Sequence, residues 1–176
     1  MHCYFFIHVL IFFRIIHILL YIHTFTMKED TQTLLVTHKE KPQHTFKGGA
    51  FAIIFNNNKE VLLCHRTDKD LWNLPGGRQE KGEAPWETVT RETKEEVGLI
   101  VKVEKLVGQY FKPKANENCV AYLCSVIAGE PTLSNEADDI QYFSVDALPE
   151  NISQKQVERI KDALAEYSEP VLRIQQ

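Results

Sequence analysis

Gly76-Gly77-Arg78-Gln79-Glu80-Lys81-Gly82-Glu83 runs through Ala84-Pro85-Trp86 into Arg91-Glu92-Thr93-Lys94-Glu95-Glu96-Val97-Gly98-Leu99. A glycine pair, a short polar loop and an acid-dense segment follow one another without a break. Pro85 suits the first turn of a helix, and Gly98 suits its left-handed stop. The spacing therefore predicts a helix between them. At roughly 100° per residue, Trp86, Val89, Thr93 and Val97 share one face, and Glu92, Glu95 and Glu96 share the adjacent one. Arg91 and Lys94 lie off the acidic stripe, so the carboxylates are expected to be under-neutralised. Like charges at these spacings repel by roughly 0.2–0.5 kcal/mol per pair. A divalent cation is the usual compensation. Carboxylate oxygens suit Mg²⁺ or Mn²⁺, and Mg²⁺ commonly arrives with substrate phosphates. A solvated acidic face is the alternative reading of such a helix taken alone. Gly76 and Gly77 let the backbone bend and approach a phosphate or metal closely. Glu83 lies at the helix start, where the macrodipole favours a negative group, and simple capping is its alternative role.

Outward from this stretch, Gly49–Phe55 reads as a buried strand, Asn56-Asn57-Asn58 as a turn and Val61–Arg66 as the returning strand of a hairpin. Thr67–Asn73 reads as a loop, and Leu74–Gly77 as a short extended segment. Downstream, Val101–Phe111 fits one or two strands, Cys119–Ala128 one strand ended by Gly129-Glu130-Pro131, and Ile140–Ser144 another. Ile152–Tyr167 reads as an amphipathic helix with Ser153 as its cap and Val157, Ile160, Leu164 and Tyr167 as its apolar face. A mixed sheet with two helices implies an α/β (α+β) fold of layered α/β/α type.

The chain has 176 residues, enough for one domain with a real core, and a formal net charge of -4. The lack of basic excess argues against broad binding of polymeric nucleic acid. It leaves a free nucleotide open, because a metal can supply the positive charge. Of the four cysteines, Cys64, Cys119 and Cys124 sit in apolar strand-like runs, and no two cysteines form a C-x-x-C pair. Buried free thiols in a reducing cytoplasm are the expectation.

Residues 1–26 are a different material. Tyr4–Ile22 is almost wholly apolar and aromatic, and the composition breaks at Met27-Lys28-Glu29-Asp30. The stretch approaches the ~20 residues that span a bilayer. A membrane anchor is opposed by Arg14 at mid-segment, which costs about 2.5–3.5 kcal/mol on insertion scales, and by His8 and His17. A secretory signal lacks a positive leading region and a small-residue cleavage site. The third reading takes Met27, the only methionine besides Met1, as the native start. The expected organisation is an extension over 1–26, a polar segment over 27–46 and a folded domain over 47–170.

The string Gly77-x5-Glu83-x7-Arg91-Glu92-Thr93-x-Glu95-Glu96-x-Gly98-Leu99 resembles the Nudix box of MutT-like hydrolases. Every fixed residue matches, and the departure is Thr93, where the family usually has an aliphatic side chain. Trp72-x-Leu74-Pro75-Gly76-Gly77 resembles the family's approach to the box. Tyr142-Phe143-Ser144, then Leu148-Pro149 and a helix, resembles its C-terminal end. The similarity covers roughly residues 47–165. It implies a Nudix-type α/β/α sandwich with a mixed sheet, and Mg²⁺- or Mn²⁺-dependent hydrolysis of a nucleoside diphosphate linked to another group. Nucleoside triphosphates and ADP-ribose-like compounds are both such substrates.

Carried over by position, the resemblance makes Glu92, Glu95 and Glu96 metal ligands and adds the carbonyl of Gly76. Glu92 and Glu95 also count among the catalytic acids, since families differ in which acid activates water. Arg91 is implied to orient the carboxylates through charge-assisted hydrogen bonds, and Glu83 to brace the loop. A further metal ligand is expected from the loop holding Glu136, Asp138 and Asp139, with Glu136 first; a solvated loop acid is the alternative. Arg66 and Lys47 are candidates to reach substrate phosphates, with a plain surface charge the alternative for each, and Gly77 is a candidate substrate contact. Trp72, Tyr110 and Phe111 are candidates to stack on a base, with core packing the alternative. Homodimers are common in the family. Pro113 lies roughly where sugar-nucleotide members carry a proline. The rival functions are a non-catalytic nucleotide-sensing domain of the same fold, which the complete set of box acids argues against, and a prenyl diphosphate isomerase, whose extra Cys and Glu have no evident place here.

Overall fold

A computed structural model describes residues 47–165 and 167–176. The expectations for residues 1–26 and 27–46 lie outside the described residues. Among the described residues no helix is long and apolar enough to cross a membrane.

Among the described residues there are eight strands and two α-helices. They are β1 (Gly48–Ile54), β2 (Val61–Arg66), β3 (Trp72–Asn73), β4 (Gly76–Arg78), α1 (Pro85–Val97), β5 (Ile100–Lys112), β6 (Glu117–Ala128), β7 (Ala137–Phe143), α2 (Gln154–Leu164) and β8 (Val171–Ile174). Five strands form a mixed sheet in the order β4-β1-β6-β5-β8, and three form a second sheet in the order β3-β2-β7. In the larger sheet β1 runs parallel to β6 and antiparallel to β4.

The expected hairpin of β1 and β2 forms only at its tip. Asn56 and Glu60 close the turn through Asn56 N to Glu60 O at 3.0 Å, and Phe55 bridges Val61. Beyond that bridge the strands part, β1 into the larger sheet and β2 into the smaller. The cause is burial on both faces. Ala50, Ala52 and Ile54 of β1 join Leu62 and Cys64 of β2 in one core cluster. Ile53 joins Val61 and Leu63 in the other. Strands buried on both faces serve two layers of helix, which is the α/β/α arrangement.

Helix α1 closes the first cluster with Val89 and Val97, and Ile160 of α2 enters the second. Two details differ from the wheel reading. Trp86, assigned to the packing face of α1, is 56% exposed, and Thr88, not assigned to it, is fully buried, while Val89, Thr93 and Val97 are buried as expected. The second helix ends at Leu164, short of the expected Tyr167; Leu164 and Tyr167 are exposed, and the polar side chains Gln156, Arg159 and Asp162 of α2 are buried along with Ile160. Ser153 stands at the α2 N-terminus, but its side chain makes no capping bond. The stretch 101–111 belongs to one long strand with register shifts rather than two. Strand β8, unanticipated from sequence, pairs parallel with β5.

The two ends of α1 are fixed differently. At the start, Glu87 accepts from the Ala84 N–H at 2.8 Å. At the end, Gly98 adopts φ 73°, and the loop after β6 folds onto the helix through Thr132 N to Val97 O at 3.0 Å. Gly129 backs onto Gly98 so closely that a Cβ there would lie 2.4 Å from the Gly98 carbonyl oxygen.

Candidate active site

The glycine pair sits between β1 and α1. Gly76 pairs with Phe51, and a Cβ on it would meet the Ala50 carbonyl oxygen at 2.2 Å. Only glycine fits at that approach. The Gly76 N–H then donates to Glu96 Oε2 at 2.8 Å. A Cβ on Gly77 would lie 2.5 Å from Glu92 Oε2, so the missing side chain is the space the Glu92 carboxylate occupies. The backbone of β4 thereby fixes both acids.

Arg91 is not as remote from the acids as its place on the wheel suggested. Its Nε and Nη2 donate to the two carboxylate oxygens of Glu83 at 2.8 and 2.9 Å. Its Nη1 donates to Glu92 at 2.9 Å and to Glu95 at 3.0 Å. Such forked, charge-assisted bonds are strong and directional. Arg91 beside it holds the Glu83 carboxyl down at about 2, and the Glu80 N–H and Thr88 hydroxyl add to the effect. Glu83 is therefore a brace for Arg91 rather than a helix cap.

The three box carboxylates are unequal. Glu95 is largely exposed and turned to Arg91. Burial raises Glu92 above the usual carboxylate range; Arg91 opposes this, while Glu95 and Glu136 add to it. Burial pushes Glu96 up to about 7, with the Gly76 N–H opposing and Glu92 and Glu136 adding repulsion. Glu136 is thus electrically coupled to both helix acids. It is held there by Thr67 N to Glu136 O at 3.1 Å. Its neighbours are engaged elsewhere: Asp138 with His65 Nδ1 at 2.7 Å, and Asp139 with the Ile140 N–H at 2.7 Å.

Among the described residues no three His, Cys, Asp or Glu side chains already surround one point as metal ligands. The donor set nevertheless fits a hard dication. Glu96 is an oxygen donor forced out of water on a backbone N–H, and Glu92 beside it shares the single Arg91 with Glu83 and Glu95; such groups gain most from an added cation.

Beside the acids lies a cleft of about 190 Å³ lined by Phe51, Arg66, Asn73, Gly77, Arg78 and Lys112 among others. Arg66, expected here, is present, with its guanidinium forked on Asp68 at 2.7 and 2.9 Å. Trp72 is placed otherwise: it is packed edge-on against Phe143 at 4.8 Å and belongs to the second core cluster, not to the cleft lining. Tyr110 is fully buried, with its hydroxyl on Asp162 at 3.1 Å. Phe111 is partly exposed, in a separate groove with Leu172 and Ile174. Of Lys47 the structure shows the carbonyl accepting from the Asn118 N–H at 3.0 Å. Sequence reading missed Phe51, Asn73, Arg78 and Lys112. Arg78 directly follows the glycine pair, which was a usable signal. Lys112 enters only through its strand register opposite Glu117. Cys64 and Cys124 are buried thiols pushed up to about 12 by desolvation, so they stay protonated and take no part.

The sandwich thus holds a buried Glu96 and a half-buried Glu92 close to a cleft whose lining includes Arg66, Arg78, Lys112 and Glu117. The NUDIX domain family model matches residues 45–163, and the chain belongs to the Nudix family. It is accordingly a hydrolase of the class that acts on pyrophosphate bonds in nucleotide derivatives, a class that generally uses divalent cations. Over 103 residues, 55% of this chain and 61% of the other, it is 36% identical to an ADP-ribose pyrophosphatase of Methanocaldococcus jannaschii. Over 112 residues, 64% of this chain and 73% of the other, it is 29% identical to a MutT-like protein of Streptomyces ambofaciens. In three dimensions it matches the crystal structure of an ADP-ribose pyrophosphatase from Streptococcus suis with a TM-score of 0.62 at 28% identity, covering 74% of this chain and all of that one.

Proposed function

We propose that this chain uses Mg²⁺ or Mn²⁺ to hydrolyse the phosphoanhydride bond of a nucleoside diphosphate joined to a further group, a nucleoside triphosphate or an ADP-ribose-like compound. The carrying observation is the buried Glu96, whose carboxylate accepts from the Gly76 N–H at 2.8 Å and is pushed by burial up to about 7, beside Glu92, which burial also raises. Two acids kept out of water at this cost are arranged for an incoming positive charge. Glu92, Glu95 and Glu96 of α1 would hold the cation, with Glu136 from the loop and the Gly76 backbone beside it. The cation supplies neutralisation of phosphate charge and activation of water.

The chain's own residues do the rest. Arg66, Arg78 and Lys112 on the cleft rim attract the anionic phosphates and hold them over the glycine floor. Arg91 keeps Glu92 and Glu95 in one orientation, with Glu83 and Thr88 behind it. Glu92, half-buried and near Glu136, is the acid placed to accept the proton of the attacking water. A cytoplasmic setting fits the free thiols Cys64, Cys119 and Cys124.

The test is a hydrolysis panel with Mg²⁺ over nucleoside triphosphates, nucleoside diphosphate sugars and dinucleoside polyphosphates. Cleavage between phosphates in at least one class is expected. Inertness toward all of them, together with no Mn²⁺ uptake by the folded protein in calorimetry, would overturn the reading.

A further inference from the structure

Behind the cleft wall lies an arginine with no carboxylate on its guanidinium among the described residues. Arg159 of α2 is 1% exposed. Its guanidinium lies over the ring of Phe51 at 4.4 Å and over that of Tyr110 at 5.1 Å. Its Nη1 donates to Gln156 Oε1 at 3.0 Å and its Nη2 to Gln175 Oε1 at 2.9 Å. Gln156 Nε2 in turn donates to Asn73 Oδ1. Asn73 is half-buried and stands on the cleft lining.

This chain of amides has a fixed direction. Side-chain amides are ordinarily ambiguous, because oxygen and nitrogen exchange places by a flip. A guanidinium only donates. Gln156 must therefore turn its oxygen to Arg159, which leaves its NH₂ for Asn73. Asn73 must then receive on its oxygen, which leaves its own NH₂ as the group without a protein partner among the described residues. That nitrogen is not an enclosed orphan either; the enclosed unpaired side-chain atoms are Asn118 Oδ1 and Arg159 Nε. Gln175 is locked in the matching sense, with its Nε2 on Glu158 at 2.7 Å and on the Lys155 carbonyl at 3.1 Å.

We propose that Asn73 is a specificity-determining residue that offers its Nδ2 amide to a carbonyl oxygen on the nucleotide's base, and that Arg159 is the positioning residue that sets this polarity through Gln156. The inference rests on the cleft being the nucleotide site of the proposed function. It adds a preference for bases with an oxo group over bases with an amino group at the contacted position. An amino group would meet the Asn73 NH₂ donor to donor and leave both buried and unpaired, which costs more than a lost contact.

The deciding variant is Gln156→Glu. A carboxylate there only accepts, both from Arg159 and from Asn73. Asn73 must then flip, and the cleft shows an oxygen where it showed an NH₂. With wild type, inosine nucleotides are expected to exceed the matched adenosine nucleotides by about tenfold in kcat/KM. Gln156→Glu is expected to invert that ratio, and Asn73→Ala to bring it close to one. Loss of packing alone lowers both rates together and does not invert a ratio. The orientation is read independently of activity by hydrogen exchange of the side-chain amides in the wild-type protein. The Gln156 NH₂ is expected to exchange slowly and the Asn73 NH₂ rapidly. Slow exchange of Asn73 and rapid exchange of Gln156 would overturn the polarity. The expected exchange with an unaltered ratio in Gln156→Glu would overturn the specificity role while leaving the hydrolase standing. Inertness toward every nucleotide would remove the proposed function, and the specificity role with it.

Discussion

The two helices carry polar side chains into the protein under opposite terms. On α2, Asp162 is almost fully enclosed, yet Arg173 grips it with two nitrogens and the Tyr110 hydroxyl completes the set. Arg173 is raised above its usual range mainly by Asp162. That cluster is closed. On α1, a single arginine serves Glu83, Glu92 and Glu95, and Glu96 has one backbone N–H. That cluster is open, one or more positive charges short. Buried charge is tolerable when paired and costly when not, so the unpaired set marks where the protein is shaped for something other than its own stability.

The contrast breaks most visibly in activity. Glu96→Gln is expected to lower Mg²⁺-dependent turnover by roughly 10³-fold or more, while the metal-free variant at pH 8 melts at or above the wild-type temperature. The ionised Glu96 costs up to about 3 kcal/mol there, taken from its rise from 4.5 to about 7. A folded variant with near wild-type rate would equate the two clusters. Gly77→Ala comes next. Its Cβ would lie 2.5 Å from the Glu92 carboxylate, so Glu92 has to shift, and a loss of about 10- to 100-fold in kcat with little change in melting is expected.

The closed cluster should respond the other way. Asp162→Asn is expected to lower stability by about 1–3 kcal/mol in urea unfolding and to leave turnover within about threefold of wild type. A large loss of turnover with full stability would place α2 in the chemistry. The smallest effect sharpens the comparison through pH. Glu96 titrates higher in the folded chain than its ordinary 4.5, so the folded state favours its protonated form. Its contribution is full below about 4.5 and is lost as pH rises through about 7. Glu83 works in reverse: held at about 2 by Arg91, it contributes above 4.5 and is lost as pH falls toward 2. Metal-free melting temperatures are expected to fall on both sides of a mildly acid optimum, and saturating Mg²⁺ should flatten the alkaline side alone. An alkaline limb unchanged in Glu96→Gln would assign it to another group.

The open cluster was legible in the sequence because it is local. Pro85, Gly98 and the glutamates between them fix the helix and its stripe within one element. The glycine pair announces a close approach. The relay and the closed cluster were not legible, because their partners are remote: Asn73 with Gln156, Asp162 with Tyr110, Arg159 with Gln175. A helical wheel gives α2 an apolar stripe, of which Ile160 is indeed buried, and only the packed sheet reveals that Gln156, Arg159 and Asp162 are buried with it. The parting of β1 and β2 was hidden for a related reason. Runs buried on both faces have no alternation to tell which sheet each joins, and the turn at Asn56–Glu60 is the same in either case. Trp72 was misleading as a stacking candidate because an aromatic ring beside the box is equally good filling for the core.

The clasp where Thr132 meets the last turn of α1 has a mechanical corollary. Only Leu133, Ser134 and Asn135 separate that clasp from Glu136. The loop acid thus hangs on a tether of three residues from the very helix that bears its counterparts. Lengthening or shortening that tether by one residue would detune the gap between them without touching either end, which makes loop length here a natural adjustment screw for descendants of this sequence.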